Sequence, residues 1–506
     1  MAAKEALNDL LRLGGVDLPT GATVDFQGRD PVVKSPYRLG EAAAAALGAQ
    51  GAAVAALWAM RSGRGQRVTV DLAKAALSLR SVNYLRQRGY PVPFPDPAYP
   101  TIGFYKTGDQ RRIMLHGGYP GLRDELLKQL NCANNAAAIA EAVAHFESGA
   151  LEDLIAEHKA CGTIVRSQEE WLAHPQGQAL KAAPLVDIQP LGGPLGGPSG
   201  GATRAEPPLP ETTGIRPLTG LRVLDLTHVL AGPTASRVLA EQGADVLRVS
   251  APGRPVMTGF IMDTGHGKLS TLLDLAKPDD KRRFHALLSE TDVLLYSYRP
   301  GGLDRLGFSE AEIARIRPGI IFASVSCYGE IGPWRERAGW EQLAQACSGM
   351  AVTQGEMEAG NGGEAEPMLS VVYPNDYVTG YLTAYGILAA LLKRAKHGGG
   401  YRVRTSLCRT AMWLQSFTPV PAAPLPSQES IAITERRMME KRETAWGPLS
   451  FMGPVTHFSA TKAQWERPTT PLAHDPVLWP HGHRFSEHSP ETREEARLYA
   501  REIVQM

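Results

Sequence analysis

The stretch LRVLDLTHVLAGPTASRVLAEQGADVLRVSA at residues 221–251 reads as a strand, a glycine-containing turn, a helix and a second strand. Further apolar runs follow at residues 270–275, 292–298 and 320–329, and an amphipathic helix begins near Pro278. Short β-branched runs that alternate with helices are typical of a parallel sheet covered on both faces. We therefore predict an α/β fold with a doubly wound, Rossmann-like parallel sheet in this part of the chain.

A Gly- and Pro-rich stretch separates this region from the first part of the chain. It reads IQPLGGPLGGPSGGATRAEPPLPETTGIRPL at residues 188–218, a composition that sustains neither a helix nor a central strand. We predict a linker there. The chain then divides into an N-terminal lobe at residues 1–187, the linker, a large domain at residues 219–415, and a C-terminal tail at residues 416–506 that returns to the large domain.

The N-terminal lobe is rich in alanine and has two long helical patterns, at Gly40–Met60 and at Ala136–Lys159. Between them, the segment IGFYKTGDQRRIMLH at residues 102–116 predicts a short hairpin. From this mixture of elements we expect a second, smaller α+β domain.

Two segments of the chain resemble each other. GAAVAALWAMRSGRGQRVTVDLAKAALSL from Gly51 and GILAALLKRAKHGGGYRVRTSLCRTAMWL from Gly386 align without a gap, 335 positions apart. Both contain a helix, a G-x-G turn and a strand with Arg-Val near its start. We predict two copies of one helix-turn-strand unit, and the alternative is chance similarity between alanine-rich helices.

The composition excludes several classes of protein. The 506 residues include 53 Lys and Arg against 52 Asp and Glu, so the chain lacks the overall basic charge that nucleic-acid binding usually requires. No uninterrupted apolar run approaches the length of about 18 residues that indicates a membrane helix, so we expect no membrane segment. Five scattered cysteines without a CxxC pair indicate neither a disulfide scaffold nor a zinc site, and we expect no metal. The first residues do not have the pattern of a secretory signal, which predicts a cytoplasmic protein.

Six ordered segments carry a resemblance to a known family. The first is PLTGLRVLDLTHVLAGPTASRVLAEQGADVLRVSAPG and the fourth is NDYVTGYLTAYGILAALLKR. The six lie at residues 217–253, 272–309, 317–350, 375–394, 397–407 and 453–468. They resemble the family III CoA-transferases, a group that also includes alpha-methylacyl-CoA racemase. The resemblance implies that family's fold, in which the doubly wound sheet binds coenzyme A, and it implies an acyl-CoA and a small carboxylic acid as partners.

The order of the segments departs from the family pattern. Residues 36–190 are similar to the second half of such a protein, with YPTIGFYKTGDQRRIMLHGGYPG and IVRSQEEWLAHPQGQAL as the best matches. Here that half comes first, and residues 416–445 are too few to encode another small domain. We infer a rearranged chain with one catalytic unit, whose small domain is supplied by the N-terminal lobe. The resemblance also implies a homodimer.

In the family, a single aspartate in a D-x-x-x-G motif attacks the acyl-CoA thioester, and Asp376 occupies that place ahead of Gly380. A carboxylate at a helix N-terminus is favoured in its ionised form by the helix dipole, which suits a nucleophile. The alternative is an ordinary helix cap. In the repeat, Glu41 falls opposite Asp376, and we interpret it as a capping or solvated residue of a non-catalytic copy.

The resemblance places coenzyme A at the first strand-to-helix turn and at the turn after the fourth strand. The matching residues are His228, Val229, Leu230, Ala231, Leu273, Ser297, Tyr298 and Arg305. Tyr298 is expected to stack on adenine and Arg305 to pair with a phosphate. A packing role for His228 and a surface role for Arg305 are the alternatives.

Some positions differ from the formyl-CoA transferase pattern. Ser297 replaces an asparagine, and Ala251 and Ala276 replace basic residues. Other cations must therefore help to hold coenzyme A, and the candidates are Arg248, Lys268 and Lys277.

Two other functions remain as alternatives. The racemases use a histidine in a G-H-D motif, where this chain has Gly339, Trp340 and Glu341, so racemisation is disfavoured unless His228 or His266 substitutes. A protein that binds coenzyme A without turnover is the second alternative, and the intact D-x-x-x-G motif weighs against it.

Overall fold

The computed structural model of the chain describes residues 2–93, 99–191, 216–360, 365–417 and 425–480. Residues 192–215 of the predicted linker and residues 481–506 of the predicted tail lie outside the described residues. The elements of the first part are α1 (Ala3–Gly14), β1 (Thr23–Gln27), α2 (Leu39–Ser62), β2 (Arg67–Asp71), α3 (Leu72–Ser78), a short 3-10 helix (Ser81–Tyr84), β3 (Arg86–Gln87), β4 (Tyr90–Pro91), β5 (Ile102–Lys106), β6 (Arg112–His116), α4 (Pro120–Leu130), α5 (Ala136–Ala144), α6 (Ser148–Glu157), β7 (Gly162–Ile164), α7 (Gln168–Ala173), α8 (Pro175–Ala182) and β8 (Asp187–Pro190). The elements of the second part are β9 (Arg222–Leu226), α9 (Ala231–Glu241), β10 (Asp245–Ser250), α10 (Thr258–Thr264), β11 (Lys268–Leu272), α11 (Pro278–Ser289), β12 (Val293–Tyr296), α12 (Gly302–Arg305), α13 (Glu310–Ile316), β13 (Ile321–Ser326), α14 (Glu341–Ser348), α15 (Met350–Ala359), α16 (Pro374–His397), β14 (Tyr401–Ser406), α17 (Leu407–Leu414), α18 (Gln428–Met438), β15 (Met439–Thr444), β16 (Gly447–Met452) and β17 (His457–Phe458).

Seven strands form the largest sheet, in the order β11-β10-β9-β12-β13-β14-β8. All pairs are parallel except β14 with β8, which is antiparallel. The chain runs outward from β9 to β11 and then continues on the other side of β9 from β12 to β14. The doubly wound prediction is confirmed, and this reversal of strand order places a crevice at the carboxyl ends of β9 and β12.

The two faces of this sheet belong to two separate apolar cores, because successive residues of a strand point to opposite faces. Val223 of β9 and Val293 of β12 lie in the core that contains α9 and α16. Leu224 of β9 and Leu294 of β12 lie in the other core, together with Phe284 of α11. Every residue of β9 is buried, as expected for a central parallel strand with helices on both sides.

The internal repeat is confirmed as a structural repeat. α2 and α16 are both 24 residues long, and their ends are separated by the same 335 positions as the aligned sequences. β2 and α3 follow α2 just as β14 and α17 follow α16. In each copy a helix glycine lies over a strand valine. A Cβ atom on Gly51 would come within 2.5 Å of Val68 Cγ1, and one on Gly386 within 2.6 Å of Val403 Cγ1.

The two copies pack together and exchange strands. α2 lies against α16, and both helices contribute to one apolar core. β8 spans the end of the N-terminal lobe and the first residues of the predicted linker, and it extends the sheet of the second copy by pairing with β14. The linker prediction is therefore wrong for residues 188–190, which form an edge strand. β17 of the C-terminal tail extends the sheet of the first copy by pairing with β2. Each half of the chain therefore completes the sheet of the other half, and an antiparallel sheet, β15-β16-β3-β4, joins them again.

α2 is long and apolar enough to cross a membrane by length and composition alone, a feature that the sequence analysis overlooked. In the fold, 83% of its most apolar window is buried inside the protein. A helix that is apolar on every side and covered by other elements has the properties of a core helix. Its hydrophobicity is accounted for by its packing against α16.

The predicted hairpin is confirmed as β5 and β6, which pair with β7 in a three-stranded antiparallel sheet. The single helix predicted at Ala136–Lys159 is wrong, because the segment forms two helices, α5 and α6. Asp109 in the hairpin turn accepts hydrogen bonds from the N–H (3.2 Å) and hydroxyl (2.7 Å) of Ser148. The N–H of Gly108 donates to the carbonyl of Phe146 at 2.8 Å. These tertiary hydrogen bonds hold the backbone in the bend between the two helices.

We expect Gly51→Ala and Gly386→Ala each to lower the free energy of unfolding by about 1–3 kcal/mol, because the new methyl group overpacks against a strand valine. Gly149→Ala is the matched control, since a Cβ atom there meets nothing within 4 Å. Chemical denaturation of the three variants measures the effect. A rise in stability at Gly51 and Gly386 equal to that at Gly149 would contradict this account of helix packing.

Candidate active site

Asp376 lies in the first turn of α16, close to the first turn of α9. Gly380, one turn later on the same face, permits this approach. A Cβ atom at Gly380 would come within 2.6 Å of the Ala231 carbonyl oxygen and 2.7 Å of Thr234 Cβ. The D-x-x-x-G spacing is therefore a packing requirement, since residues four apart share a helix face and only glycine fits against α9.

A cavity of about 820 Å³ opens at the carboxyl ends of the central strands, and Asp376 lies in its wall. The aspartate is 7% exposed. The same cavity is lined by all the other residues predicted for the site, which are His228, Val229, Leu230, Ala231, Leu273, Ser297, Tyr298 and Arg305. The structure brings these residues together around one cavity, and their roles toward a ligand remain proposals.

His228 and Ser297 lie side by side where the strand order reverses. The backbone N–H of His228 donates to Ser297 Oγ at 3.1 Å, and His228 Nδ1 lies 3.2 Å from the same oxygen. Burial, helped by the positive charge of Arg254, lowers the pKa of His228 to about 4. The imidazole is therefore neutral at pH 7, and Ser297 holds the first strand-to-helix turn in place.

Tyr298 lies in the cavity wall, with its ring 5.6 Å from the tilted ring of Tyr296, and it also contacts an imidazole and a guanidinium group. The His228 ring stacks on it at 4.6 Å with an angle of 10° between the planes. The guanidinium carbon of Arg254 lies 4.6 Å from its ring centre. A ligand ring that stacks on Tyr298 must displace one of these neighbours. His228 is also packed edge-on against Trp340, whereas Arg254 is exposed and is the one free to move.

Arginine is the dominant charge around the cavity. Five arginines line it, against two carboxylates, Asp274 and Asp376. The arginines are Arg254, Arg299, Arg305, Arg335 and Arg337. Such an excess of guanidinium groups suits a ligand that carries phosphates.

None of the three cations predicted to compensate for the missing basic residues lines the cavity; they are Arg248, Lys268 and Lys277. Lys268 is buried and donates to Asp225 at 3.0 Å. Arg248 is buried and donates to Ser270 at 2.8 Å. Arg254 lines the cavity instead. It lies three positions after Ala251, which replaces a basic residue of the family, so a position-by-position alignment does not reveal it.

The N-terminal lobe contributes one wall of the cavity. Tyr119, at the start of α4, lines it together with Gly121 and Leu122. The Tyr119 ring stacks on Trp340 at 5.3 Å, and burial together with the nearby Asp376 carboxyl raises the pKa of the Tyr119 hydroxyl. The sequence motifs predict no site residue in this lobe, although the resemblance assigns the lobe to the small domain.

Glu341, the first residue of α14, is the functional residue that the sequence analysis missed. Its Oε2 atom accepts the backbone N–H of Asp376 at 2.6 Å, and its side chain is buried. Burial and the charge of Glu341 raise the pKa of Asp376 well above its usual range. The expectation that the helix N-terminus keeps Asp376 ionised is therefore wrong in direction. The sequence signal lies in the Gly339–Glu341 segment, which lacks the histidine of the G-H-D motif but keeps an acidic residue at its third position.

The equivalent position in the first copy has a different environment. Glu41 forms an ion pair with Arg38 at 2.8 Å, and its backbone N–H donates to Asp30 Oδ2 at 2.7 Å. An acidic side chain thus caps the helix in both copies, but within the described residues only Glu41 has a cation beside its own carboxylate. This arrangement supports the interpretation of Glu41 as a structural residue.

We expect Asp376→Asn to stabilise the protein increasingly as the pH rises. The raised pKa means that the folded state holds the Asp376 proton more tightly than the unfolded chain does. The free energy of unfolding of the wild type therefore falls as the pH rises from about 4 to the pKa of Asp376 in the folded protein. Each pKa unit corresponds to about 1.4 kcal/mol, so the variant should be more stable by at least that amount at pH 8. Denaturant unfolding at pH 4 and pH 8 measures this, and a pH-independent difference would contradict the burial of an unpaired carboxyl.

Relatives of the chain are named as transferases of coenzyme A. The acetyl-coenzyme A transferase nodX of Hypoxylon pulicicidum is 34% identical over 323 residues, which cover 61% of this chain and 53% of that protein. The formyl-CoA:oxalate CoA-transferase of Afipia carboxidovorans is 36% identical over 214 residues, which cover 38% of this chain and 49% of that protein. The chain thus spans about half the length of these curated relatives.

Among solved structures, a hypothetical protein from Mycobacterium tuberculosis is 28% identical, with a TM-score of 0.37 over 46% of this chain and 64% of that one. A sequence model of CoA-transferase family III matches residues 19–189 and 218–448, on either side of the Gly- and Pro-rich stretch. The two ranges matched by the family model together cover well over half of the chain. The chain therefore belongs to CoA-transferase family III.

Proposed function

We propose that the protein moves coenzyme A from an acyl-CoA thioester to a carboxylic acid, and that Asp376 is the covalent nucleophile. The observation that carries the proposal is the position of Asp376, a buried carboxyl in the wall of a cavity rimmed by arginines. A side chain that served only as a helix cap would not need to face such a cavity.

The reaction is proposed to proceed in two covalent stages. The Asp376 carboxylate attacks the thioester carbonyl, the C–S bond breaks, and coenzyme A leaves as a thiolate with a mixed anhydride on the enzyme. The thiolate then attacks the aspartyl carbonyl and releases the donor acid, which gives an aspartyl-CoA thioester. An acceptor carboxylate repeats these steps in reverse, collects the coenzyme A, and restores Asp376. Two stages replace one difficult exchange with a weak nucleophile.

Each tetrahedral state carries a negative oxygen that needs N–H donors. We assign this role to the first turn of α9, because Ala231 and Gly232 line the cavity at the place where α9 meets the Asp376 turn. The first N–H groups of a helix have no partner within the helix and face a negative charge favourably.

For coenzyme A, we assign the nucleotide to the mouth of the cavity. Tyr298 is the surface on which adenine stacks, after Arg254 has moved aside to pair with a phosphate. Arg305 supplies a second guanidinium group on the same wall. Val229, Leu230 and Leu273 form the apolar part of this wall.

Several assignments stay predictions. They are the homodimer, the cytoplasmic location and the expectation of no metal, nucleic-acid or membrane partner. α16 is already covered by α2 of the same chain, so a second copy would have to bind elsewhere than on this helix. The division of the chain into the four predicted segments is likewise kept as a proposal.

Racemisation is disfavoured further by the surroundings of the histidines. His266 does not line the cavity and is stacked on Phe451 at 3.8 Å, so it cannot act on a substrate at Asp376. His228 lines the cavity but is stacked on Tyr298, on the side of the proposed nucleotide site.

We expect Asp376→Ala to lower the rate of coenzyme A exchange by about a thousandfold or more, because the covalent stage is lost. Binding of coenzyme A should change little. Glu41→Ala, at the equivalent position of the first copy, should keep the wild-type rate. The assay follows transfer between a panel of acyl-CoA donors and free carboxylic acids, and full activity of Asp376→Ala would refute the mechanism.

We expect Arg254→Ala to weaken binding of coenzyme A about tenfold to a hundredfold, since a charge-assisted hydrogen bond contributes about 1.5–3 kcal/mol. Calorimetry with coenzyme A and with 3′-dephospho-coenzyme A shows whether Arg254 pairs with the 3′-phosphate. If it does, Arg254→Ala weakens binding of coenzyme A but not binding of the dephosphorylated ligand. Arg282→Ala, on the exposed face of α11, is the control. Unchanged affinity in Arg254→Ala would remove this residue from the site.

A further inference from the structure

Within the part of the chain that the structure describes, the hydrogen-bond partners of Glu341 are all donors. Oε2 accepts the N–H of Asp376 at 2.6 Å. Oε1 accepts the side-chain amide of Gln345 at 2.7 Å, the side-chain amide of Asn375 at 3.0 Å and the backbone N–H of Asn375 at 3.3 Å. The residue is 3% exposed. No partner in this set accepts a proton from it.

This environment fits a carboxylate and not a carboxylic acid. Burial raises the pKa of Glu341 to about 7, and the hydrogen bonds from Gln345, Asn375 and Asp376 oppose that rise. Two of the donors are backbone N–H groups in the first turn of α16, where the helix dipole also favours a negative charge. A protonated Glu341 would have to place its O–H among N–H groups that donate toward it.

Asp376 has no positive partner among the residues that the structure describes. In the described part of the chain, no basic side chain makes an ion pair with it, and Glu341 is the charged group that acts on it. The other titratable groups that face the pair are Tyr119, Tyr373 and Cys327. Burial raises the pKa of each of these three, so none of them is charged at pH 7 or compensates a second negative charge.

The first copy supplies an internal comparison. There Asp30 takes the capping position of Glu341, and Arg38 neutralises the carboxylate at the nucleophile position. The capping acid is common to both copies, whereas the missing cation is specific to the copy that faces the cavity. The unbalanced charge is therefore a feature of the site and not a requirement of helix capping.

We propose that Glu341 is a positioning residue that holds the Asp376 backbone and, through its own negative charge, keeps the proton of the pair on Asp376 in the free enzyme. This inference rests on the proposed function. Asp376 loses that proton to solvent before it attacks. Acylation then removes the charge of Asp376, so the repulsion between the two carboxylates is relieved in the covalent intermediate. Glu341 thereby favours formation of the intermediate over the ionised, unreacted nucleophile.

The test is the pH profile of kcat/KM for wild type, Glu341→Gln, Glu341→Asp and the matched control Asp30→Asn. In the wild type we expect the acidic limb to lie well above the range of an ordinary aspartate. In Glu341→Gln we expect the limb to move down by about one pH unit or more, because the like charge is gone. Glu341→Asp and Asp30→Asn should leave the limb near its wild-type position. A Glu341→Gln enzyme that is active with an unmoved limb would overturn the inference while leaving the proposed function intact.

A second measurement does not depend on the folding of a Glu341 variant or on turnover. The infrared difference spectrum between wild type and Asp376→Asn at pH 7 should contain the carbonyl band of a protonated carboxylic acid. Absence of that band would show that Asp376 is ionised and would overturn the inference. Its presence in a protein without exchange activity would reject the proposed function alone.

Discussion

The contact between the first turns of α16 and α9 is the constraint on which the site depends. Gly380 has no side chain, so α16 approaches the Ala231 carbonyl closely enough to place Asp376 at the cavity wall. Glu341 fixes the same turn from the other side by accepting its N–H groups. Any larger residue at Gly380 would separate the two helices and move the carboxyl away from the N–H groups at the start of α9.

The exchange of strands between the two halves of the chain provides the frame for this contact. α16 is supported along its length by α2, its structural equivalent, and the strands that close each copy come from the opposite half. The segment that contains Tyr119 also comes from the first half and reaches the cavity of the second. The altered order of segments is therefore compatible with a single complete site, in which the copy with Glu41 serves as structural support.

Features with a local signal could be predicted from the sequence. The alternation around β9, α9 and β10, the gap-free repeat and the D-x-x-x-G motif each depend on neighbouring residues, and the structure contains them as expected. Features that depend on contacts distant in the sequence could not be predicted. Glu341 contacts Asp376 across 35 positions. Asp109, in the hairpin turn, accepts a hydrogen bond from Ser148 at the point where the helix predicted at Ala136–Lys159 is interrupted. Lys268 was misassigned because its burial beside Asp225 is a tertiary property.

The central claim is that Asp376 bonds covalently to the carbonyl carbon of a thioester. It is tested most directly by incubating the protein with an acyl-CoA, trapping with hydroxylamine, and locating the modified residue by peptide mass spectrometry. The account predicts an aspartyl hydroxamate on Asp376 that requires the acyl-CoA and is absent from the peptide that contains Glu41. Modification at another residue, or complete turnover without any adduct on Asp376, would contradict it.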